Sequence, residues 1–505
     1  MKPVLLVINA LDVRDEATAL FAGRPVWQET LRRIASLSEG CDLLLVCHEG
    51  ESLLPEACDV PQTRLSGYGA HAVLSTLQHN HSGYEWYVFL DISAVFMDPG
   101  LVTAFLGTGR HRIAQYVYGE HYPKGIAPQV LSAEALAILA GVSSGNDFRF
   151  GEEAIFDLMG LDINSWDIEM VVSETDFRRM RLDLRIRSAE ALARMKALLA
   201  IDPGLVDDWS YERLARCLRE HVGILRTVPA YVELDLVDAC QLSCHYCPRS
   251  VREDLVPEQS VSLDDLGRLV KDLRRFAPDA TIALSPYSEP LLHPQAETAI
   301  RMILDSGLRL VLETNGIALD EKLAALLASA DPERSIIIFS PDFSDPERFA
   351  REKGASLLPL VEANIERLLA LRQRNVWIQA IQFEADDANL DAFYERWKAH
   401  EDAILPRKYN NWCQCIPGRP AVDLSPLVRT PCWHLARDLV IRADGRVPMC
   451  KQDLECRVSP GNVFRDGLEA VWAGLERQWQ EQCADPAFQG LPLCAPCDEW
   501  HTYNF

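Results

Sequence analysis

Three cysteines that lie close together constrain this chain more than any other feature of its sequence. Cys240, Cys244 and Cys247 occur in the segment D-L-V-D-A-C-Q-L-S-C-H-Y-C-P, directly after an apolar run that predicts a β-strand. Three thiolates at this spacing can bind three irons of a cubane iron–sulfur cluster, which leaves the fourth iron open to a small molecule. The spacing alone also allows a three-Cys zinc site with a distant fourth ligand, or a chance cluster.

The spacing C-x3-C-x-aromatic-C, with Tyr246 before the last Cys, resembles the signature of the radical S-adenosylmethionine (SAM) superfamily. The resemblance implies a 4Fe–4S cluster on Cys240, Cys244 and Cys247, whose open iron binds the amino and carboxylate groups of SAM. It also implies that one electron, from a flavodoxin- or ferredoxin-type reductant, cleaves SAM to a 5′-deoxyadenosyl radical.

A second motif follows the next predicted strand and reads S-P-Y-S-E-P-L-L-H-P. It looks like the glycine-glycine-glutamate motif of the same superfamily, in which backbone groups and a carboxylate hold the SAM ammonium group. Glu289 and Pro290 match that motif, whereas Tyr287 and Ser288 stand where glycines are usual. The resemblance implies SAM contacts from Ser288 and Glu289, with an altered backbone approach. The alternative is a capped turn before the next helix.

Two further strand ends carry candidates for SAM contact. The sequence E-T-N-G at 313–316 is similar to a turn that contacts the ribose in many relatives, and this implicates Asn315. An Asn-Gly turn is common in all folds, so the turn alone has little specificity. Ser340 ends the fourth predicted strand of this region, where relatives use a polar group on SAM. Asp342 and Lys353 lie nearby in the sequence and are further candidates, but we interpret both as surface charges.

The last part of the chain carries a second cysteine pattern. Cys432 precedes L-V-I-R-A-D-G-R-V, which predicts a β-hairpin with an Asp-Gly turn that brings Cys432 close to Cys450. The sequence C-A-P-C, with Cys494 and Cys497, follows near the end. This order resembles the SPASM domain, a module that binds auxiliary iron–sulfur clusters behind radical SAM barrels. A zinc ribbon, which also uses paired cysteines, is the alternative.

The SPASM resemblance implies one auxiliary 4Fe–4S cluster and leaves a second one open. The simplest ligand set is Cys432, Cys450, Cys494 and Cys497. Four other cysteines of this region are spare candidates for a ligand: Cys413, Cys415, Cys456 and Cys483. The chain has 15 Cys, and the four scattered ones are interpreted as core residues: Cys41, Cys47, Cys58 and Cys217.

Short β-like runs that alternate with helical stretches predict an α/β fold. In residues 229–410, six strand–helix steps predict a partial (β/α)6 radical SAM barrel of parallel strands, with ligands at the carboxyl ends of the strands. The predicted strands are Tyr231–Val237, Thr281–Ser285, Leu308–Glu313, Ser335–Ser340, Val376–Phe383 and Ala403–Lys408. We expect a GT-A/Rossmann-like α/β domain at 1–200, a helical linker at 201–228 and a small Cys-rich domain at 411–505.

Residues 1–200 show a fainter resemblance to GT-A-like nucleotidyltransferases, including cytidylyltransferases. It rests on G-R-P-V-W-Q-E-T-L, F-L-D-I-S-A-V-F-M-D-P-G-L and R-S-A-E-A-L. In those enzymes an Asp at the position of Asp91 binds the divalent metal that neutralises nucleotide phosphates. Here the phosphate loop is missing, and Arg187 stands where a second metal-binding Asp is common. Asp91 is therefore either a metal ligand or the cap of a strand end.

We therefore interpret residues 1–200 as a degenerate domain that is either structural or recognises a substrate, such as a nucleotide-linked sugar or a protein partner. With this domain in front, the order of domains resembles the spirochaete "spiro-SPASM" type of radical SAM protein.

Charge and hydropathy narrow the range of partners. The net charge of −24 opposes binding to nucleic acid or to an anionic membrane surface, because both repel an acidic protein. No apolar run approaches the roughly 20 residues that a membrane span needs. The N-terminal sequence predicts a β-strand rather than a signal peptide, so we expect a cytoplasmic protein.

Together these features predict a radical SAM enzyme that modifies a peptide, a protein or a sugar-type substrate such as a sugar nucleotide. One alternative is a non-catalytic iron–sulfur protein for electron transfer or scaffolding. Another is a nucleotide-sugar transferase fused to a metal domain. The sequence singles out no proton donor, so the catalytic residues are left unassigned.

Overall fold

The computed structural model describes residues 3–13, 15–37, 40–51, 54, 59–146, 148–208, 210–252, 255, 259–285, 287–384, 388–418, 425–485, 488 and 490–504. Cys58, and Pro286 of the second motif, lie outside the described residues. The chain divides into two compact units, Met1–Ile224 and Leu225–Phe505. The finer limits at 200, 228 and 410 stay predictions.

The first unit contains a seven-stranded mixed sheet in the order β5-β4-β1-β6-β8-β7-β9. Its strands, with the small hairpin β2–β3, are β1 (Val4–Ala10), β2 (Leu20–Phe21), β3 (Arg24–Pro25), β4 (Cys41–His48), β5 (Gln62–Leu65), β6 (Trp86–Asp91), β7 (Tyr116–Glu120), β8 (Gln129–Ser132) and β9 (Ile168–Val172). Its α-helices are α1 (Val26–Ile34), α2 (Ala70–Asn80), α3 (Pro99–Arg112), α4 (Ala133–Val142), α5 (Ala154–Gly160), α6 (Ala189–Ile201) and α7 (Tyr211–Glu220).

The central strand β1 explains why helices cover both faces of this sheet. Its residues are almost uniformly apolar, and alternate side chains point to opposite faces. Leu5 and Val7 pack in the hydrophobic cluster of one face, while Leu6 and Ile8 pack in the cluster of the other. The core assignment of the scattered cysteines is supported for Cys47 and Cys217, which are buried, whereas Cys41 is half-buried.

The second unit contains a seven-stranded sheet in the order β15-β14-β13-β12-β11-β10-β16, in which all neighbours are parallel. Its strands are β10 (Tyr231–Leu234), β11 (Thr281–Leu284), β12 (Arg309–Thr314), β13 (Ser335–Phe339), β14 (Val376–Gln382), β15 (Ile404–Lys408) and β16 (Asp438–Ile441), with β17 (Arg446–Val447) and β18 (Gly461–Asn462) forming a separate antiparallel pair. The predicted α/β class, the partial barrel and the Cys-rich C-terminal region are confirmed.

The α-helices of the second unit connect the barrel strands and continue through the Cys-rich region. They are α8 (Leu263–Phe276), α9 (Ala296–Ser306), α10 (Glu321–Ser329), α11 (Pro346–Lys353), α12 (Leu358–Leu371), α13 (Ala388–Arg396), α14 (Trp433–Arg437), α15 (Val463–Asp466), α16 (Leu468–Gly474) and α17 (Glu476–Ala484). Ser262 is the N-cap of α8, because its hydroxyl accepts a hydrogen bond from the backbone N–H of Asp265. No helix in the described part of the chain has the length and apolar character that a membrane span requires.

The predicted hairpin around the Asp-Gly turn is wrong as a two-stranded ladder. The tight turn exists, because the N–H of Gly445 donates to the carbonyl of Arg442 at 2.8 Å and Gly445 has a φ of 84°. The N–H of Arg442 also donates to the carbonyl of Arg446 at 2.9 Å, which closes the hairpin, but the ladder partners of the two flanking strands lie elsewhere. The first, β16, runs parallel to β10 in the barrel sheet, while β17 pairs with β18. A segment of the Cys-rich region thus supplies the seventh strand of the barrel sheet.

Apolar side chains close the interior of the barrel and are called the barrel floor. The fully enclosed members come from four adjacent strands: Tyr231, Ala283, Val311 and Ile338. Three partly buried residues complete the layer: Ile336, Trp377 and Leu405. Because side chains two residues further along each strand point to the same side, the next interior layer lies nearer the carboxyl ends.

Truncation of the barrel floor should destabilise the second unit. We expect Ile338→Ala to lower the free energy of unfolding by about 2–4 kcal/mol, because Ile338 is fully buried and its removal leaves a cavity. Denaturant unfolding followed by circular dichroism measures the change. The control is Leu371→Ala, whose side chain is 59% exposed and whose loss should cost less than about 0.5 kcal/mol. Equal losses in both variants would contradict the assignment of the floor.

Candidate active site

A cavity of about 460 Å³ opens at the carboxyl ends of the barrel strands. It is the place where parallel α/β barrels bind their ligands, since the loops after the strands converge there. All seven candidates that the sequence assigned to the SAM site line this one cavity: Cys240, Cys244, Cys247, Ser288, Glu289, Asn315 and Ser340. The structure therefore brings together side chains from four strand ends that are up to 100 residues apart in the sequence.

The cysteine loop is fixed by backbone hydrogen bonds to the end of α11. The N–H of Ser243 donates to the carbonyl of Lys353 at 3.1 Å, and the N–H of His245 donates to that of Glu352 at 3.0 Å. The buried ring of Tyr246 packs edge-on against Phe383, with 5.1 Å between ring centroids. These contacts fix the position of the loop relative to α11 and the end of β14.

The three thiols are suited to a metal cluster rather than to free cysteine chemistry. Burial raises the pKa of all three, and that of Cys247 reaches about 12. Metal binding reverses this cost, because a bound cation holds a thiol in its deprotonated form. Within the described ranges, no three His, Cys, Asp or Glu side chains converge as the ligands of a single ion do. The donor set and the cavity around it fit an iron–sulfur cluster.

Lys353 and Asp342 form a buried ion pair beside the thiols, so their interpretation as surface charges is wrong. The two side chains are 4% and 3% exposed, and the Lys353 ammonium lies 2.7 Å from the Asp342 carboxylate. Asp342 also accepts a hydrogen bond from the hydroxyl of Tyr246 at 2.8 Å. The positive charge of Lys353 lowers the thiol pKa of Cys244 and Cys240, against the larger effect of burial. Lys353 is thus a functional candidate, because its charge lies inside the site and not on the surface.

Asp235, directly after the first barrel strand, binds the second motif through hydrogen bonds. One carboxylate oxygen of Asp235 accepts from the hydroxyl of Ser288 at 2.9 Å and from the N–H of Tyr287 at 3.1 Å. Burial raises the pKa of Asp235 to about 7. Tyr287, which stands where relatives have glycine, is 1% exposed, and its hydroxyl donates to the carbonyl of Lys451. The larger side chain therefore fills space and links the motif to the residue after Cys450.

Glu289 connects the loops after two neighbouring strands. One carboxylate oxygen accepts from the hydroxyl of Thr314 at 2.7 Å and from the N–H of Leu291 at 3.1 Å, and the other accepts from the N–H of Asn315 at 2.8 Å. Burial raises its pKa to about 7 in spite of these three donors. Glu289 thus caps the turn, as the alternative interpretation holds, and also lines the cavity.

Asn315 and Ser340 also present polar groups to the cavity. The Asn315 amide donates to the sulfur of Cys240 over 3.8 Å and exchanges hydrogen bonds with the side chain of Gln241. The hydroxyl of Ser340 donates to the carbonyl of Thr314 at 3.3 Å, and the carbonyl of Ser340 accepts from Lys353. Both residues are therefore tied to the same network as the thiols.

A second, smaller cavity in the C-terminal region is lined by five thiols: Cys413, Cys432, Cys450, Cys494 and Cys497. Four of them are the predicted auxiliary ligands. Burial raises the pKa of Cys432, Cys450 and Cys494, whereas a hydrogen bond with the thiol of Cys413 lowers the pKa of Cys497. The other spare candidates in the described residues lie outside this lining: Cys415, Cys456 and Cys483. The donor set fits a second iron–sulfur cluster, with one thiol in excess.

Asp91 in the first unit uses its carboxylate internally. One oxygen accepts from the N–H of Ser93 at 2.9 Å, and the other is paired with the guanidinium of Arg187. A hydrogen bond to the N–H two residues on is the geometry of a strand-end cap. Because the guanidinium of Arg187 already pairs with the Asp91 carboxylate, these residues do not fit a divalent metal.

Comparisons with known proteins agree with this geometry. Residues 235–381 match the radical SAM superfamily, and residues 432–498 match SPASM, an iron–sulfur cluster-binding domain. An uncharacterized protein of Treponema pallidum (strain Nichols) is 31% identical over 367 residues, which span 70% of this chain and 98% of that protein. The GTP 3′,8-cyclase of Microcystis aeruginosa (strain NIES-843 / IAM M-2473) is 33% identical over 132 residues, 25% of this chain and 38% of the cyclase.

Among solved structures, Streptococcus suis SuiB bound to the precursor peptide SuiA is similar over 71% of this chain and 87% of SuiB, with 11% identity and a TM-score of 0.43. The fold, the two thiol sets and the matched segments define an iron–sulfur enzyme that uses SAM. The chain belongs to the radical SAM superfamily and carries a SPASM domain.

Removal of the Lys353 charge should disrupt the cysteine loop. In Lys353→Met the Asp342 carboxylate stays buried without its cation, which should cost about 3–5 kcal/mol of unfolding free energy. We also expect a lower iron content after reconstitution, measured by colorimetric iron assay. Lys398→Met is the control, because that side chain is 71% exposed. A double variant, Lys353→Met with Asp342→Asn, should recover part of the lost stability, because Asn removes the buried charge and tolerates the positive φ of this position; no recovery would argue against the ion pair as the cause.

Divalent metal should leave the first unit unaffected. Because the Asp91 carboxylate is occupied by Arg187 and Ser93, millimolar Mg²⁺ should not shift the melting temperature of this unit in scanning calorimetry. The result that would overturn this assignment is a Mg²⁺-dependent rise that Asp91→Asn removes. Arg178→Ala, which breaks an exposed ion pair with Asp176, is the matched control.

Proposed function

We propose that Cys240, Cys244 and Cys247 hold the 4Fe–4S cluster that binds SAM, and that Ser288, Glu289, Asn315 and Ser340 contact the SAM molecule. The observation that carries this proposal is that these seven side chains line one cavity at the carboxyl ends of the barrel strands. A cluster bound there supplies one electron for cleavage of the sulfonium bond of SAM.

Residues of the cavity offer polar groups to two parts of SAM, the ammonium group and the ribose. Glu289 offers a buried carboxylate to the ammonium group, and its three internal hydrogen bonds fix the direction of its oxygens. Asn315 and Ser340 offer an amide and a hydroxyl to the ribose. Lys353 balances the negative charge that three thiolates bring into a buried site, since an uncompensated charge there is costly.

We propose further that Cys432, Cys450, Cys494 and Cys497 hold one auxiliary 4Fe–4S cluster, which takes up or relays an electron from the substrate. The substrate is a peptide, a protein or a sugar-type molecule, as the SPASM resemblance and the fainter transferase resemblance of residues 1–200 imply. A flavodoxin- or ferredoxin-type protein in the cytoplasm supplies the first electron. The pairing of Asp91 with Arg187 argues against the rival hypothesis of a nucleotide-sugar transferase.

The first test measures SAM cleavage directly. Protein purified without oxygen and reconstituted with iron and sulfide should form 5′-deoxyadenosine when SAM and a strong reductant are added. The variant with Cys240, Cys244 and Cys247 all changed to Ala should form none, because the electron has no site from which to reach SAM. Cys217→Ala, a buried cysteine of the first unit, is the control and should retain cleavage. Cleavage that survives in the triple variant would refute the assignment.

The second test counts irons. The reconstituted protein should bind about eight irons if each of two sites holds a four-iron cluster, and Cys450→Ala should reduce this to about four, because its ligand set is broken. Iron and sulfide assays, with electron paramagnetic resonance of the reduced protein, measure both numbers. Cys456→Ala is the matched control, since Cys456 lies outside the lining of the auxiliary cavity. An unchanged iron content in Cys450→Ala would exclude Cys450 as a required ligand.

A further inference from the structure

Above the barrel floor lies a set of charged and amide side chains that the SAM site does not use. We call it the polar layer, and its members are Glu233, Glu313, Gln379, Arg407 and Lys451, all of which line the active-site cavity. Four of them follow a floor residue by two positions on the same strand, so they point to the same side of the sheet. Lys451 joins them from the loop after β17.

The charged groups of the polar layer affect one another's pKa. Burial raises the pKa of the floor residue Tyr231, Glu233 and Glu313 add to the rise, and Arg407 opposes it. Burial raises the pKa of Glu233 to about 7, Lys451 lowers it, and Glu313 adds to the rise. The layer therefore contains two carboxyl groups and two cations around one part of the cavity, with an amide between them.

Several of these groups lack the partners that buried polar atoms normally have. Glu233 and Gln379 are 5% and 4% exposed, yet Glu233 Oε2 and Gln379 Oε1 have no hydrogen-bond partner among the described residues. An unsatisfied buried acceptor of this kind destabilises the folded state, so its persistence in a folded protein points to a ligand.

Both cations of the polar layer have hydrogen-bond donors left for a ligand. The guanidinium of Arg407 forms no ion pair or hydrogen bond with the part of the chain that the structure describes. The Lys451 ammonium lies 3.9 Å from Glu233 Oε1, which is an ion pair but too long for a hydrogen bond. By contrast, the SAM candidates Ser288 and Glu289 are hydrogen-bonded within the protein.

We propose that the polar layer binds the reacting part of the substrate, and that this part carries a carboxylate or phosphate group next to amino or hydroxyl donors. The anionic oxygens meet Arg407, whose planar guanidinium suits two of them at once, and Lys451, which acts as a point charge. The donors meet Glu233 Oε2 and Gln379 Oε1. This inference rests on the proposed function, because it takes the cavity to hold the substrate beside SAM.

The charges of the polar layer also argue against two classes of substrate group, apolar and purely cationic. An apolar group would leave the Arg407 guanidinium and the acceptors Glu233 Oε2 and Gln379 Oε1 buried without partners. A purely cationic group would leave Arg407 without an anionic partner and would be repelled by it. Amino acids, chain-terminal carboxylates of peptides and phosphorylated sugars all satisfy the layer, and a small anion is the part that they share.

The test is the protection of Arg407 from phenylglyoxal, which modifies guanidinium groups. Full-length protein without reductant or SAM is treated in the presence of inorganic phosphate or of acetate, and peptide mass spectrometry follows the modification of Arg407. We expect at least one anion to slow modification several-fold. Arg477, whose side chain is 81% exposed, is the internal control and should react at the same rate throughout.

The variants decide whether the polar layer is responsible. Lys451→Met should lose the protection, and Lys451→Arg, which keeps the positive charge, should retain it; circular dichroism checks that both variants are folded. Protection by phosphate alone would favour a phosphorylated substrate, and protection by acetate alone would favour a carboxylate. The proposal is overturned if neither anion protects Arg407, if Arg477 is protected equally, or if Lys451→Met keeps full protection. The assay needs no SAM cleavage, so its failure is separate from a failure of the proposed function.

Discussion

The buried ion pair between Lys353 and Asp342 is the interaction on which the cavity depends. A charge in the protein interior is tolerated only with a partner, so each residue fixes the position of the other. Asp342 also fixes Tyr246 within the cysteine loop, and the backbone carbonyl of Lys353 holds Ser243 in the same loop. One pair thus connects the end of α11, the loop after β13 and the segment that carries the three thiols. It also places a positive charge where thiolates would otherwise repel one another.

The sequence predicted what local patterns encode and missed what depends on contacts across the barrel. The six barrel strands and the grouping of the cysteines follow from apolar periodicity and short spacings, and the strand limits differ from the structure by a few residues at most. In the first unit the apolar run at 113–118 predicts a strand, but Ile113 is the C-cap of α3 with a φ of 59°, and β7 begins only at Tyr116. Lys353 could not be found in this way, since a lysine near a helix end is usually exposed. Its partner Asp342 has a φ of 62°, which only the folded chain reveals.

Tyr287 explains how this chain accommodates a departure from its superfamily. A glycine at that place lets the backbone approach a ligand closely, whereas the ring of Tyr287 packs against Trp412, with 5.9 Å between ring centroids. Its hydroxyl reaches the carbonyl of Lys451, so the SAM motif is connected to the residue that follows an auxiliary cysteine. The side chain of Tyr287 thus restricts the backbone of the motif and links the two cysteine regions. The same link positions Lys451 at the polar layer.

The seventh strand, β16, ties the Cys-rich region to the barrel, so the two cannot be separated cleanly. Because β16 occupies the free edge of β10, removal of the chain after β15 would expose a row of unpaired N–H and C=O groups along a buried apolar strand. Such an edge recruits other chains, and the truncated protein would aggregate rather than survive as an independent barrel. Gene fragments that end before Asp438 would therefore not yield a separable module. Evolutionary shuffling of the C-terminal region would have to exchange β16 together with its cysteines.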